Sequence, residues 1–206
     1  MPLPVFRLSL LLMALLLAGC SSTTLSGSWV DPEFRGQLRK VYIVGVAQQE
    51  INRRIFEDAF DRELATFGVT GISSYRDLPP DKFEDKAAIV AQLGTHGADS
   101  ILMARVTGVR TEQVQNPGYV SGSYFSPAPY YRNWDSYYDR RFEAIYQPPT
   151  VSEFQVATIE ANLYSAKTGN LVWSAQLETV IEGKMERLLN DFVKTVIKDM
   201  QRQGLL

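Results

Sequence analysis

Two hydrophobic periods run along this chain, and the change from one to the other divides it. The segment "LRKVYIVGV", residues 38–46, is an apolar, β-branched run without alternation, as expected of a strand covered on both faces. "EINRRIFEDAFDRELATFG" follows, with Ile51, Ile55, Ala59, Phe60 and Leu64 at helical spacing and Gly68 placed to end the helix. A short strand is expected at residues 69–73. A second helix over 82–96 would carry Phe83, Ala87, Val90 and Leu93 and close at Gly97, and "ADSILMARVTGV", residues 98–109, reads as a third strand. Strand, helix, strand, helix, strand in this order implies neighbouring parallel strands.

The period then shortens. "ATIEANLYS" sets Ala157, Ile159, Ala161 and Leu163 on one face and Thr158, Glu160 and Asn162 on the other. "KTGN" supplies a turn, and "LVWSAQLETVI" returns with Ser174, Gln176 and Glu178 outward, so a hairpin with one covered side is expected. The last segment recovers the helical period most strongly: Met185, Leu188, Leu189, Phe192, Val193, Val196, Ile197 and Met200 precede Gly204. This helix is expected to close the core. The fold class is therefore α/β (α+β) in a single domain: a mixed sheet of about five strands, βαβαβ, then a β-hairpin and a C-terminal helix.

The first residues have a different use. Arg7 gives a basic start, residues 8–17 are a short apolar run, and Ala18 and Gly19 precede Cys20, the single cysteine. About ten apolar residues fall well short of the roughly 20 that span a bilayer. The stretch Leu17-Ala18-Gly19-Cys20 resembles the lipobox of bacterial lipoproteins. That resemblance implies cleavage between Gly19 and Cys20, a diacylglycerol on the Cys20 sulfur and a membrane anchored through acyl chains. Ser21, rather than aspartate, follows the cysteine, which by the same resemblance implies the outer membrane, facing the periplasm. Residues 1–19 are thus read as a signal peptide, 20–37 ("CSSTTLSGS" onward) as the lipidated cysteine and a flexible tether, and 38–206 as the α/β domain.

Residues 113–149 fit neither period and form a long aromatic loop inserted before the hairpin. Seven of the ten tyrosines lie in it, among Gly, Ser and Pro. Tyr119, Tyr124, Phe125, Tyr130, Tyr131, Trp134, Tyr137 and Tyr138 are the candidate partner-binding residues, because Tyr and Trp give rigid contact area at modest entropic cost. Aromatic packing on the body or a low-complexity loop are the bland alternatives, and stacking on sugar rings makes glycan a second candidate partner.

Charge and composition remove other classes. With 21 basic and 23 acidic residues over the whole chain, and only Arg7 lost with the signal, the mature body is weakly acidic, which argues against nucleic acid as a partner. One histidine, His96, at an expected helix end, and one cysteine committed to lipid leave no Cys-His nucleophile and no zinc site of the usual composition. No cofactor, no metal and no catalytic residue is expected. Glu57, Asp58, Asp61 and Glu63 among Arg53, Arg54 and Arg62 read as a solvated helix face.

On "KVYIVGV", "RRIFEDAFDRELATFG", "GADSILMARVTG" and "ANLYSAKTGNLVWSAQLET", residues 38–110 and 155–200 resemble an α/β domain shared by several envelope proteins. These are the N-terminal domain of the Tol-system periplasmic protein, the activator lipoproteins of peptidoglycan synthases and the curli-secretion lipoprotein. The resemblance implies a non-catalytic binding or assembly accessory of the cell envelope. A peptidoglycan-binding protein and an oligomeric secretion component are the alternatives.

Overall fold

The computed structural model describes residues 22–82, 85–121 and 145–206. The described strands are β1 (Thr23–Val30), β2 (Lys40–Val46), β3 (Thr70–Ser73), β4 (Ser100–Asn116), β5 (Tyr119–Ser121), β6 (Ile145–Gln147), β7 (Thr150–Ser165) and β8 (Leu171–Val180). The helices are α1 (Glu50–Ala65), α2 (Lys86–His96) and α3 (Met185–Arg202), with short 3-10 turns at Ser74–Arg76 and Pro80–Lys82. The chain forms two compact units: one holds residues up to Arg110 and again Gln155–Leu206, the other is Thr111–Phe154.

The first unit is a mixed α/β domain on a six-stranded sheet of order β1-β8-β7-β4-β2-β3. β2 pairs in parallel with β3 and β4, as the alternating strand and helix periods predict. β7 and β8 form the expected antiparallel hairpin, with Ala161 opposite Ala175. Arg105 reaches Glu160 and Thr107 reaches the Thr158 carbonyl, so β4 and β7 run in opposite directions.

The sixth strand corrects the sequence reading. Residues taken as tether, Thr23–Val30, pair antiparallel with β8 along the sheet's edge. Thr23 and Leu25 face inward, then a bulge between Leu25 and Gly27 shifts the register. That extra residue breaks the period of two, which is why the strand reads as structureless polar sequence.

The main core lies between one sheet face and the helices α1 and α3. Phe56, Phe60 and Phe192 form a ring cluster with centroids 4.8 to 6.3 Å apart, and Trp173 is fully buried beneath α3. Burying each such ring contributes about 1.5–3 kcal/mol. α2 covers part of the other face over Tyr42, Val44 and Ile101, and it buries none of its own residues fully. Its stripe is consequently looser than the spacing predicts: Val90 is 57% exposed. Ile51, assigned by spacing to the core stripe of α1, is 59% exposed, because the buried stripe runs through Phe56, Phe60 and Leu64 instead.

Gly97 ends α2 in the left-handed conformation at φ 59°, as expected of a helix-ending glycine. Gly71 has a different reason to be glycine. A Cβ there would stand 2.6 Å from the Asp61 backbone, so β3 and α1 pack closer than any larger residue permits.

In the second unit, Gln113 bonds Glu153 and Asn116 bonds Ser152, continuing an antiparallel pair. β5 and β6 then pair antiparallel, Tyr119 opposite Gln147 and Ser121 opposite Ile145. The expected aperiodic loop is therefore strand at both of its ends.

Candidate functional site

The aromatic segment is the site with the most chemistry to offer a partner. Among its candidate residues, Tyr119 is the first residue of β5. Tyr124, Phe125, Tyr130, Tyr131, Trp134, Tyr137 and Tyr138 lie outside the described residues, as do Gly19 and Cys20. What the structure does place is the stem. The β5/β6 register fixes Ser121 directly across from Ile145, so the 23 residues between them start and finish at neighbouring points. Cross-strand Cα atoms in such a pair are about 4.5–5.5 Å apart.

A second polar surface lies on the sheet face that α2 leaves open. Arg110 reaches across β7 to Glu178 with two bonds of 3.0 and 2.8 Å. Arg105 bonds Glu160 at 3.2 Å, and Glu160 also accepts from Asn162 at 2.8 Å. The hydrogen bond from Asn162, followed by that from Arg105, holds the Glu160 carboxyl below its ordinary value. Arg110 does the same to Glu178. These pairs are solvated, and such exposed pairs contribute little to stability. They keep an exposed sheet face soluble and fix the charge pattern that it shows to the periphery.

The third cluster contradicts the sequence reading. Arg53 and Glu57, assigned to a solvated helix face, are 2% and 0% exposed. Glu57 Oε1 accepts from Gly45 N, Arg53 Nε and Ser74 Oγ, and Oε2 accepts from Tyr75 N. Arg53 donates further to the Leu78 carbonyl and to Ser74 Oγ. A carboxylate has about four lone-pair positions. Four donors meet it here, three at Oε1 and one at Oε2, so the charge is held by a dense set of protein groups. The network joins the carboxyl end of β2 to the turn after β3, a place where open α/β sheets often bind ligands. Here it is filled by the protein's own groups.

The exposed shell of that network is also internally paired. Asp58 accepts from Ser73, Tyr75 Oη and Arg76. The Tyr75 ring has the guanidinium groups of Arg54 and Arg76 at 5.4 and 5.6 Å from its centroid. Asp85 caps α2, its carboxylate accepting from Ala87 N and Ala88 N, consistent with acidic residues collected at that helix start.

His96 ends α2, but its ring turns from the helix carbonyls to Asp77, with Nε2 to Oδ2 at 2.7 Å. It also packs against Tyr42, ring centroids 6.0 Å apart. Tyr42 is fully buried, and burial above all, then the neighbouring Asp77, raises its phenol far above the ordinary value. A small cavity of about 160 Å³ opens beside Phe34, Leu38, Asp99 and Ser100, too small for a typical ligand site. Among the described residues no group of three or more His, Cys, Asp and Glu is arranged to hold a metal ion, and no helix is long and apolar enough to cross a membrane.

No protein-family model matches the chain, and no curated protein matches it in sequence. Solved structures do overlay on it. The PelC dodecamer from Paraburkholderia phytofirmans is 11% identical, covers 87% of this chain and 97% of its own, and gives a TM-score of 0.47. Lipoprotein GNA1162 from Neisseria meningitidis is 12% identical, covers 80% of this chain and 99% of its own, and gives 0.40.

Proposed function

We propose that this protein is an outer-membrane lipoprotein, anchored by acylated Cys20, that works as a non-catalytic binding or assembly accessory in the cell envelope. The observation that carries this reading is the stem of the aromatic segment. Two paired strands hold its ends at neighbouring points, and seven candidate aromatics lie in the sequence between Ser121 and Ile145. Closing the two ends of the segment lowers the entropy that must be lost on binding, which favours a recognition role over a plain connection. The lipid fixes location, and the partner is met at a raised local concentration.

The polar clusters support the same reading. The buried carboxylate accepts from four donors of the protein itself, and the exposed ion pairs satisfy one another. Their arrangement supplies stability and surface charge rather than a nucleophile beside a base.

The test compares partners cross-linked in cells to the full lipoprotein with those of a variant in which a two-residue Asn-Gly turn replaces residues 122–144. The expected result is an envelope protein recovered with the first and absent from the second. Retention by purified sacculi that is lost with the same segment would assign glycan as the partner. Identical partners with and without the segment would move the binding surface to the α/β unit and overturn the role given to the aromatics.

A further inference from the structure

The start of the fold bears on how an acylated Cys20 would present the body to a membrane. Ser22 is the first described residue, and it is already fixed at two points. Its hydroxyl donates to Asp191 Oδ2 on α3 at 3.1 Å, and its carbonyl accepts from Val180 N at 3.0 Å. The next residue, Thr23, is buried, its hydroxyl 2.9 Å from that of Thr179 across the β1/β8 pair. Cys20 stands two residues earlier in the chain. A residue spans at most about 3.6 Å, so the Cys20 Cα lies within roughly 7 Å of Ser22. That distance leaves no room for a tether.

The surface at this end suits a headgroup layer. β8 finishes here, and residues 181–184 connect it to α3, whose first turn is residues 185–187, with Ile181 N donating to the Gln155 carbonyl at 2.8 Å. Met185, spaced to belong to the α3 core stripe, is instead 43% exposed. Lys184 and Arg187 flank it, both exposed, with long apolar stems that can lie along lipid while their charges stay in water. Glu182 and Glu186 balance them, so the patch is amphipathic and close to neutral.

We propose that this end of the α/β unit, Ser22 together with residues 181–187, rests on the bilayer surface and holds the lipoprotein in one orientation. The proposal rests on the acylation of Cys20. It replaces a body swinging on a linker with one docked at a defined face. The β7/β8 turn at Thr168 then stands at the far end of β8, a strand of 10 residues and about 30 Å.

The experiment uses the full lipoprotein, purified in detergent and reconstituted into vesicles of phosphatidylethanolamine and phosphatidylglycerol. Because acylation blocks Cys20, a bimane label can be placed on Met185→Cys or on Thr168→Cys alone, and quenching by a headgroup-nitroxide lipid is read for each. The expected result is several-fold stronger quenching at 185 than at 168. A 16-residue Gly-Ser insertion between Ser21 and Ser22, reaching about 20 Å, should remove most of that contrast while the protein still floats with the vesicles. Equal quenching at both sites in a protein whose N-terminal peptide carries the diacylglyceryl mass would overturn the docked orientation and leave the anchor standing. An N-terminal peptide without that mass would overturn both.

Discussion

Arg53 and Arg54 are neighbours on α1, both bonded to Glu50, and the structure assigns them very different weights. Arg53→Met removes the guanidinium that is 2% exposed and leaves Glu57, at 0%, with no charge partner. It also strips a donor from the Leu78 carbonyl. Breaking a buried pair from one side costs about 3–5 kcal/mol. Arg54→Met removes an exposed i,i+4 bridge, about 0.3–0.5 kcal/mol. Its contact with the Tyr75 ring adds about 0.5–1 kcal/mol.

With a urea m-value of about 2–3 kcal/mol/M, the Arg53 change lowers the unfolding midpoint by roughly 1–2.5 M, and the Arg54 change by less than about 0.8 M. The assay is urea unfolding of the mature chain carrying Cys20→Ser, followed by tryptophan fluorescence. Arg53→Lys should rescue little, since one ammonium cannot reach Glu57, Ser74 and the Leu78 carbonyl as the planar fork does. Equal midpoint shifts for the Arg53 and Arg54 variants would refute the desolvated network.

Other regions make separate predictions. Gly71→Ala should destabilise by about 1–3 kcal/mol in the same urea assay, because the added Cβ meets the Asp61 backbone rather than a side chain that can turn away. Trp173→Phe leaves an aromatic ring in the core but shrinks it and removes the bond from Nε1 to Asp199 at 3.0 Å, and should cost at least about 1–3 kcal/mol, read as a lowered melting temperature. Arg110→Gln should raise the Glu178 titration midpoint toward its ordinary value in carbon-detected NMR. The depressed carboxyl contributes stability at neutral pH that is lost as pH falls through its folded-state value, and the variant should lose that dependence. An unchanged Glu178 midpoint would separate the pair from that titration.

The elements with uninterrupted periods were legible in the sequence. The parallel strands, the β7/β8 hairpin and α3 follow directly from spacing, since each buries one regular face. β1 escaped because its bulge breaks the alternation and its pairing partner, β8, lies about 150 residues away. Arg53 and Glu57 escaped for a related reason. At i,i+4 they look like any surface ion pair, and only the turn after β3, which brings Ser74 and Leu78 over them, makes them interior. A warning was present: with Arg53 and Glu57 in the stripe, the helix face through Phe56 and Phe60 is continuous, whereas Ile51 lies off it. For the aromatic segment, composition marked the residues and the strand register located its two ends.

The most direct test of the account is photo-cross-linking in living cells from p-benzoylphenylalanine placed at Trp134, with the same group at Thr168 as a control. An envelope protein captured from position 134 and not from 168 is the result predicted for a lipoprotein that binds through its aromatic segment. Capture of the same protein from 168 alone, or from both positions equally, would contradict it.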